Sequence, residues 1–320
     1  MKLTIINDYY FKNLSNELLQ KVKDTACGYE VKQVEQSGIE VKDLIDSDIV
    51  FGRIPPELLI KLPNLKWLHL ASAGANGMTD RTLYANKETI LTKSSGTFGV
   101  PMAEYIIGMM VALGRNFGYY YKKQSENEWC STFPNHLGIA GTTVVIIGIG
   151  DIGTEVAVHL SGFGCRIIGL RRNISKPNKA ISDVRHISRL HETLPEADYV
   201  IICTPGTTET DKLFKSEEFE LMKSNAIIIN IGRGIIIDSE ALADALNEKK
   251  IYGAGLDVTE PEPLPPEHPL WSARNILITP HVSAATSMTT ERRTMVFIDL
   301  LKCYVSGQEM YNLVDFDAGY

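Results

Sequence analysis

The stretch Thr142–Leu160, TTVVIIGIGDIGTEVAVHL, reads as a β-strand, a glycine turn and an α-helix in direct succession. Val144, Val145, Ile146 and Ile147 are apolar and β-branched, which suits a strand covered on both faces of a parallel sheet. The turn G-I-G-D-I-G (148–153) then opens the helical run TEVAVHLSGFG. That strand–turn–helix setting is what a dinucleotide fingerprint requires. Gly148 permits the tight turn, Gly150 lets the backbone approach a pyrophosphate, and Gly153 lets helix and strand pack closely. The N–H groups around Asp151 and Ile152 fall at the helix N-terminus, where phosphate is favoured. A glycine turn that binds nothing is the plainer alternative, and the flanks weigh against it.

Downstream of this unit the apolar runs continue as CRIIGL (165–170), YVIIC (199–203), AIIIN (226–230), GAGLDV (253–258) and NILIT (275–279). Upstream, LTIIN (3–7), YEVKQV (29–34), DIVFG (48–52), LKWLHLA (65–71) and TILTK (89–93) alternate with helical stretches. Strands separated by helices imply parallel pairing and an α/β class. With 320 residues, two domains are expected. PMAEYIIGMMVALGRN (101–116) predicts a helix apolar nearly all round, buried between domains or between subunits. The polar, aromatic stretch after it, from Phe117 to Gly141, reads as an arm. A last helix is expected over 289–307, with the tail returning to the first domain.

The bulk composition is globular: 44% apolar, 22% charged, net charge −7 and a pI near 5.6. Neither a nucleic-acid surface nor a membrane span is suggested. MKLTIINDYY reads as a strand rather than a signal peptide. The five cysteines are scattered, without a C-x-x-C pair, so a reduced, cytoplasmic setting is expected. No metal spacing is present.

The strand after the fingerprint ends in Leu170-Arg171-Arg172-Asn173. An NAD site places an acid there for the ribose 2′-hydroxyl, whereas arginine accommodates the 2′-phosphate of NADP. Arg171 and Arg172 therefore favour NADP(H) over NAD, against the plainer reading of a solvated basic turn that continues to Lys176 and Lys179. Thr204-Pro205 closes the next strand and reads either as a simple strand stop or as a cofactor contact.

Three later strands each deliver a polar residue. AIIINI leads to Gly232-Arg233-Gly234, GAGLDV to Glu262, and NILITP to His281. Ligands of open α/β sheets sit outside the carboxyl ends of the strands. Arg233, set between two glycines expected to allow a sharp turn, can fork onto a carboxylate. His281 can donate a proton to a carbonyl oxygen, and Glu262 beside it favours the imidazolium. The other histidines are expected to be structural or superficial, with His186 and His191 in a polar connection.

GIGDIG, INIGRGIIIDSEALADAL (229–246), GAGLDVTEPEPLP (253–265) and ITPHVSAAT (278–286) together resemble the D-isomer-specific 2-hydroxyacid dehydrogenase family, most specifically over 141–285. AEYIIGMMVAL and LASAGAN (70–76) add to it. The resemblance implies that Arg233 orients a 2-oxo acid, Glu262 supports the histidine and His281 donates the proton. It places the substrate carboxylate on the backbone of Ala73 and Gly74, and the nicotinamide carboxamide on Asp257. Ile231 is counted among the cofactor contacts. The implied architecture is two Rossmann-like or flavodoxin-like domains with parallel sheets and a cleft between them. The substrate domain spans 1–98 plus 287–320, the dinucleotide-binding domain 99–286, and the protein is a homodimer through the helix at 101–116 and the arm.

Glu262 differs from the glutamine of the related formate dehydrogenases, and 320 residues are too few for the regulatory domain of long phosphoglycerate dehydrogenases. Arg171 resembles the NADPH-dependent glyoxylate/hydroxypyruvate reductase branch. The expected function is reduction of a 2-oxo acid to a D-2-hydroxy acid with NADPH preferred to NAD. A cofactor-sensing binding module of the corepressor type on the same fold is the alternative. Tyr9, Tyr10 and Arg53 are further residues considered for the substrate side, Arg53 either as a second anion contact or as a surface cation.

Overall fold

The computed structural model describes residues 1–8, 13–75, 77–131, 136–175 and 177–317; Tyr9, Tyr10 and Lys176 lie outside them. The chain divides into two compact units, one of Met1–Phe98 with Ala285–Tyr320 and one of Gly99–Ala284.

In the first unit β1 (Lys2–Asn7), β2 (Glu30–Glu35), β3 (Ile49–Phe51), β4 (Trp67–Leu70) and β5 (Ile90–Lys93) form a parallel sheet in the order β2-β1-β3-β4-β5. This is the flavodoxin-like order. Helix Asn16–Thr25 starts at Ser15, whose hydroxyl accepts from Leu18 N, and it buries Leu18 and Val22, four residues apart on one face. Helix Thr289–Ser306 joins the same core through Phe297, Ile298, Leu300 and Leu301. Phe297 stacks on Phe51 at 4.2 Å between ring centroids.

The second unit adds β6 (Thr143–Ile147), β7 (Arg166–Arg171), β8 (Asp183–His186), β9 (Tyr199–Ile202), β10 (Ile227–Asn230), β11 (Gly253–Leu256) and β12 (Ile276–Ile278). All are parallel, in the order β12-β11-β10-β9-β6-β7-β8. Counted from β6 this is the Rossmann order extended by one strand, with the switch point between β6 and β9. The glycine turn leaves β6 at that point.

Each apolar run forms its expected strand, and both sheets are parallel as the alternation with helices requires. Three local expectations are corrected. His186 ends a strand, β8, and His191 lies in the short helix Leu190–Thr193, so neither sits in an irregular connection. The edge strand DVRH carries no apolar run because its residues are only partly buried or exposed. Phe117–Ser125, read as an arm, is helical. The apolar helix spans Gly99–Gly114, and nine of its sixteen residues are buried. Its cover lies within its own unit, chiefly helix Asp151–Ser161 with β10 and β11. No helix among the described residues is long and apolar enough to cross a membrane.

At the end of β4, His69 is fully buried in a polar relay. Ser94 Oγ donates to Leu70 O, so it accepts from His69 Nε2 at 3.0 Å, and His69 Nδ1 then accepts from Thr92 Oγ1 at 2.7 Å. Trp67 Nε1 donates to the same threonine. Burial holds the imidazole neutral, with its pKa pushed down from 6.5 to about 3. The folded pKa lies below the unfolded one, so this stabilisation is complete above pH 6.5 and is lost as pH falls toward 3. The slope approaches about 1.4 kcal/mol per pH unit. His69→Gln, whose amide can keep both polar contacts, should flatten the decline of the urea midpoint below pH 6.5; a slope equal to wild type would refute this.

Candidate active site

Strands β10, β11 and β12 run in register, Asn230 beside Leu256 and Leu256 beside Ile278. The loops leaving them therefore start side by side at the carboxyl edge of the sheet. Arg233, Glu262 and His281 stand on these three loops. His281 Nδ1 and Glu262 Oε1 are 2.8 Å apart. The Arg233 guanidinium is half-buried; burial pulls its pKa below the ordinary arginine value, and the charge of Glu262 acts in the opposite sense.

Each loop has its own anchor. His281 adopts a left-handed backbone, φ 55°, a conformation uncommon outside glycine. Its N–H donates to Asp257 O at 2.8 Å. The buried Asp257 carboxylate accepts from Thr279 Oγ1 (2.8 Å), Val282 N (2.9 Å) and Ser283 N (2.9 Å). Asp257 thus grips the residues on both sides of His281, in addition to the nicotinamide contact expected of it. Burial raises the pKa of Tyr105, on helix Gly99–Gly114, and its neighbour Thr279 acts in the opposite sense.

Asn230, also buried, does the same for Arg233. Its Oδ1 accepts from Gly232 N at 3.0 Å and its Nδ2 donates to Arg233 O at 2.9 Å. Its own carbonyl accepts from Asp257 N at 3.0 Å, joining the two anchors. Sequence reading missed Asn230, Thr279 and Tyr105. The only available signal for Asn230 was a polar residue ending an otherwise aliphatic strand.

The glycines around Arg233 serve close approach rather than a sharp turn, since neither has a positive φ. A Cβ on Gly232 would lie 2.5 Å from Thr204 O, and one on Gly234 would lie 1.9 Å from Thr259 O. Loop 232–234 is thereby wedged between the loop after β9 and the segment leading to Glu262.

The nucleotide end fits a dinucleotide. Gly148 has φ 91°, and a Cβ there would strike Thr204 N at 2.8 Å. A Cβ on Gly153 would stand 2.2 Å from Gly148 O. Gly150, the N-cap of helix Asp151–Ser161, faces open space and offers no side-chain cap. Asp151 and Ile152 form the first turn, where backbone N–H groups favour an anion. Ile231 is buried in the neighbouring loop, its N–H bonded to Ile202 O. Thr204 is half-buried and Pro205 exposed.

The two arginines after β7 differ. Arg171 is half-buried, and its Nε and Nη2 have no hydrogen-bond partner among the described residues. Arg172 is exposed and donates to Glu209 Oε2 at 2.6 Å. In the first unit Ala73 and Gly74 are partly buried on the loop after β4, where Ser72 Oγ donates to Gly74 O at 2.7 Å. Arg53 is exposed after β3.

A Rossmann-ordered sheet with a phosphate-ready turn at its switch point and an imidazole–carboxylate pair on the same edge defines a nicotinamide-dinucleotide-linked oxidoreductase. The family model for "D-isomer specific 2-hydroxyacid dehydrogenase, NAD binding domain" matches residues 107–283, more than half of the chain. The chain belongs to this family of NAD(P)-dependent D-2-hydroxyacid dehydrogenases. It is 29% identical over 324 residues to glyoxylate/hydroxypyruvate reductase B of Escherichia fergusonii, covering 98% of each. Among solved structures it resembles a D-isomer specific 2-hydroxyacid dehydrogenase family protein from Aeromonas salmonicida (28% identity, TM-score 0.86, 99% of both chains). It also resembles an NADPH-dependent glyoxylate/hydroxypyruvate reductase from Sinorhizobium meliloti, in complex with NADP and malonate (25% identity, TM-score 0.78, 98% of this chain and 97% of that one).

Gly234→Ala must push the Thr259 backbone away from the arginine loop and so part Arg233 from Glu262. A misplacement of about 1 Å costs on the order of 100-fold in rate. We expect a loss of that order in kcat/KM with cofactor affinity retained; an unimpaired variant would refute the wedge.

Proposed function

We propose that this chain reduces a 2-oxo acid to the D-2-hydroxy acid, preferring NADPH, with Arg233, Glu262 and His281 as its catalytic residues. The carrying observation is the contact between His281 Nδ1 and Glu262 Oε1 at 2.8 Å. An ionised carboxylate only accepts hydrogen bonds, so Nδ1 carries a proton and donates it to Glu262. The other ring nitrogen, Nε2, is left for the reacting group.

Arg233 binds the substrate carboxylate and draws electron density from the adjacent C2 carbonyl. When bound, a reduced nicotinamide supplies the hydride that C2 receives. His281 gives the Nε2 proton to the C2 oxygen as charge develops there, so the carbonyl becomes a secondary alcohol. Glu262 orients the imidazolium and stabilises its charge before that transfer. Ala73 and Gly74 hold the carboxylate through backbone N–H groups. Asp257 keeps His281 in place while offering a remaining lone pair to the carboxamide. Residues 1–98 with the C-terminal segment serve as the substrate domain and the central segment as the dinucleotide domain.

Support for NADPH comes from Arg171, whose buried donors have no partner among the described residues and stand where the ribose acid of an NAD site would be. Gly148, Gly150, Asp151, Ile152 and Gly153 receive the pyrophosphate, while Thr204, Pro205 and Ile231 line the cofactor. Glyoxylate and hydroxypyruvate head the substrate candidates, since the Escherichia fergusonii and Sinorhizobium meliloti proteins are named for them.

A homodimer is proposed on the aromatic surface of 117–131, where Tyr121 is 76% and Trp129 99% exposed. Light scattering should give twice the chain mass of 35.5 kDa, and a single-chain mass would exclude it.

NADPH- and NADH-linked reduction of a 2-oxo acid panel tests the chemistry. His281→Ala should lower kcat by about 100- to 10,000-fold while NADPH still binds. Arg171→Asp should abolish the preference for NADPH. Turnover near wild type in the first, or an unchanged preference in the second, would overturn the respective assignment.

A further inference from the structure

Glu209 lies on the loop that follows β9, and Arg172 directly follows β7. Both strands flank β6 in the sheet. The Arg172–Glu209 pair, 2.6 Å between Nη1 and Oε2, therefore spans the carboxyl end of β6, where the glycine turn begins. The loop bearing Glu209 is tied into a defined shape. Thr210 Oγ1 donates to Pro205 O at 2.8 Å and accepts from Thr207 N at 2.8 Å. Its Gly206 lies against Arg233, since a Cβ there would be 3.0 Å from Arg233 Cβ. Glu209 is thus presented to Arg172 from a braced loop.

The two adjacent arginines are in opposite electrostatic situations. Arg171 has buried donors with no partner among the described residues, whereas Arg172 is neutralised by a carboxylate. The pair is exposed, 54% for Arg172 and 66% for Glu209, so it is weak and readily opened. A phosphate monoester brings about two negative charges and three acceptor oxygens. It can displace a single exposed carboxylate from a guanidinium. A nucleotide with a bare 2′-hydroxyl offers Arg172 nothing comparable.

We propose that Glu209 is a specificity-determining residue: it holds Arg172 across the adenosine end of the site and yields it to a ligand bearing a 2′-phosphate. Arg171 is then the standing phosphate ligand, and Arg172 the one recruited by exchange of partners. Glu209 lowers affinity for the phosphorylated cofactor, both by competing for Arg172 and by repelling the phosphate. It leaves the unphosphorylated cofactor largely unaffected. The protein is accordingly less strict for NADPH than two arginines alone would make it. This proposal rests on the NADPH reading above.

The test is calorimetric binding of 2′,5′-ADP and 5′-AMP to the full chain, which needs no turnover. Glu209→Gln should tighten 2′,5′-ADP by about fivefold, the worth of an exposed ion pair, and leave 5′-AMP unchanged. Most of that gain should disappear in the Arg172→Ala background, and it should shrink as salt screens the pair. Arg171→Ala separates the two ideas. If wild type prefers 2′,5′-ADP and Arg171→Ala loses that preference, but Glu209→Gln changes nothing or shifts both nucleotides equally, this proposal alone falls. If wild type binds both nucleotides equally and Arg171→Ala has no effect, the NADPH reading falls and takes this proposal with it.

Discussion

The buried carboxylate of Asp257 is the constraint on which the candidate site depends. It accepts hydrogen bonds from Thr279, Val282 and Ser283, while its backbone carbonyl accepts from His281 N. A buried carboxylate is tolerated only when such donors satisfy it, and charge-assisted bonds contribute about 1.5–3 kcal/mol each. That grip holds His281 at a positive φ, a conformation a histidine adopts at a cost of about 1–3 kcal/mol. The strain is thus offset beside the residue that bears it. Through Asp257 N and Asn230 O the same anchor reaches the arginine loop. Arg233 and His281 share one polar scaffold that runs across neighbouring strand ends.

The glycines form a second layer of this design. Gly148 against Thr204, Gly232 against Thr204 and Gly234 against Thr259 allow four loops, those after β6, β9, β10 and β11, to lie backbone on backbone. The loop after β9 is common to two of these contacts and also carries Glu209. The glycine turn after β6 and the loop bearing Arg233 therefore both pack against one short segment, residues 204–210. Precision there comes from main-chain contact, which flexible side chains could not supply.

Most of the strand framework was legible because parallel strands buried on both faces must be continuously apolar. VVII, YVII and AIIIN can hardly be anything else. His281 was legible for a related reason, as the polar residue that ends NILITP. β8 was not, because an edge strand with partly exposed residues has no need of an apolar pattern. Asn230 and Thr279 were silent because their importance lies in hydrogen bonds to loops, and a polar residue at a strand end has many uses. The apolar helix Gly99–Gly114 announced its burial correctly but not what would cover it, since apolar surface is non-directional.

By itself the sequence determined the α/β class, the strand order of events along the chain, the phosphate-ready turn and the residue types available for proton transfer. These follow from periodicity and from the conformational demands of glycine, which are local properties. Only the tertiary structure decided that Asn230 and Asp257 hold the loops bearing Arg233 and His281, that Glu262 meets His281 at 2.8 Å, and that of two adjacent arginines one is paired while the other has buried donors with no partner among the described residues. Those outcomes depend on which strands lie side by side and how closely their loops approach. Sheet order brings distant segments together, and no local pattern encodes that distance.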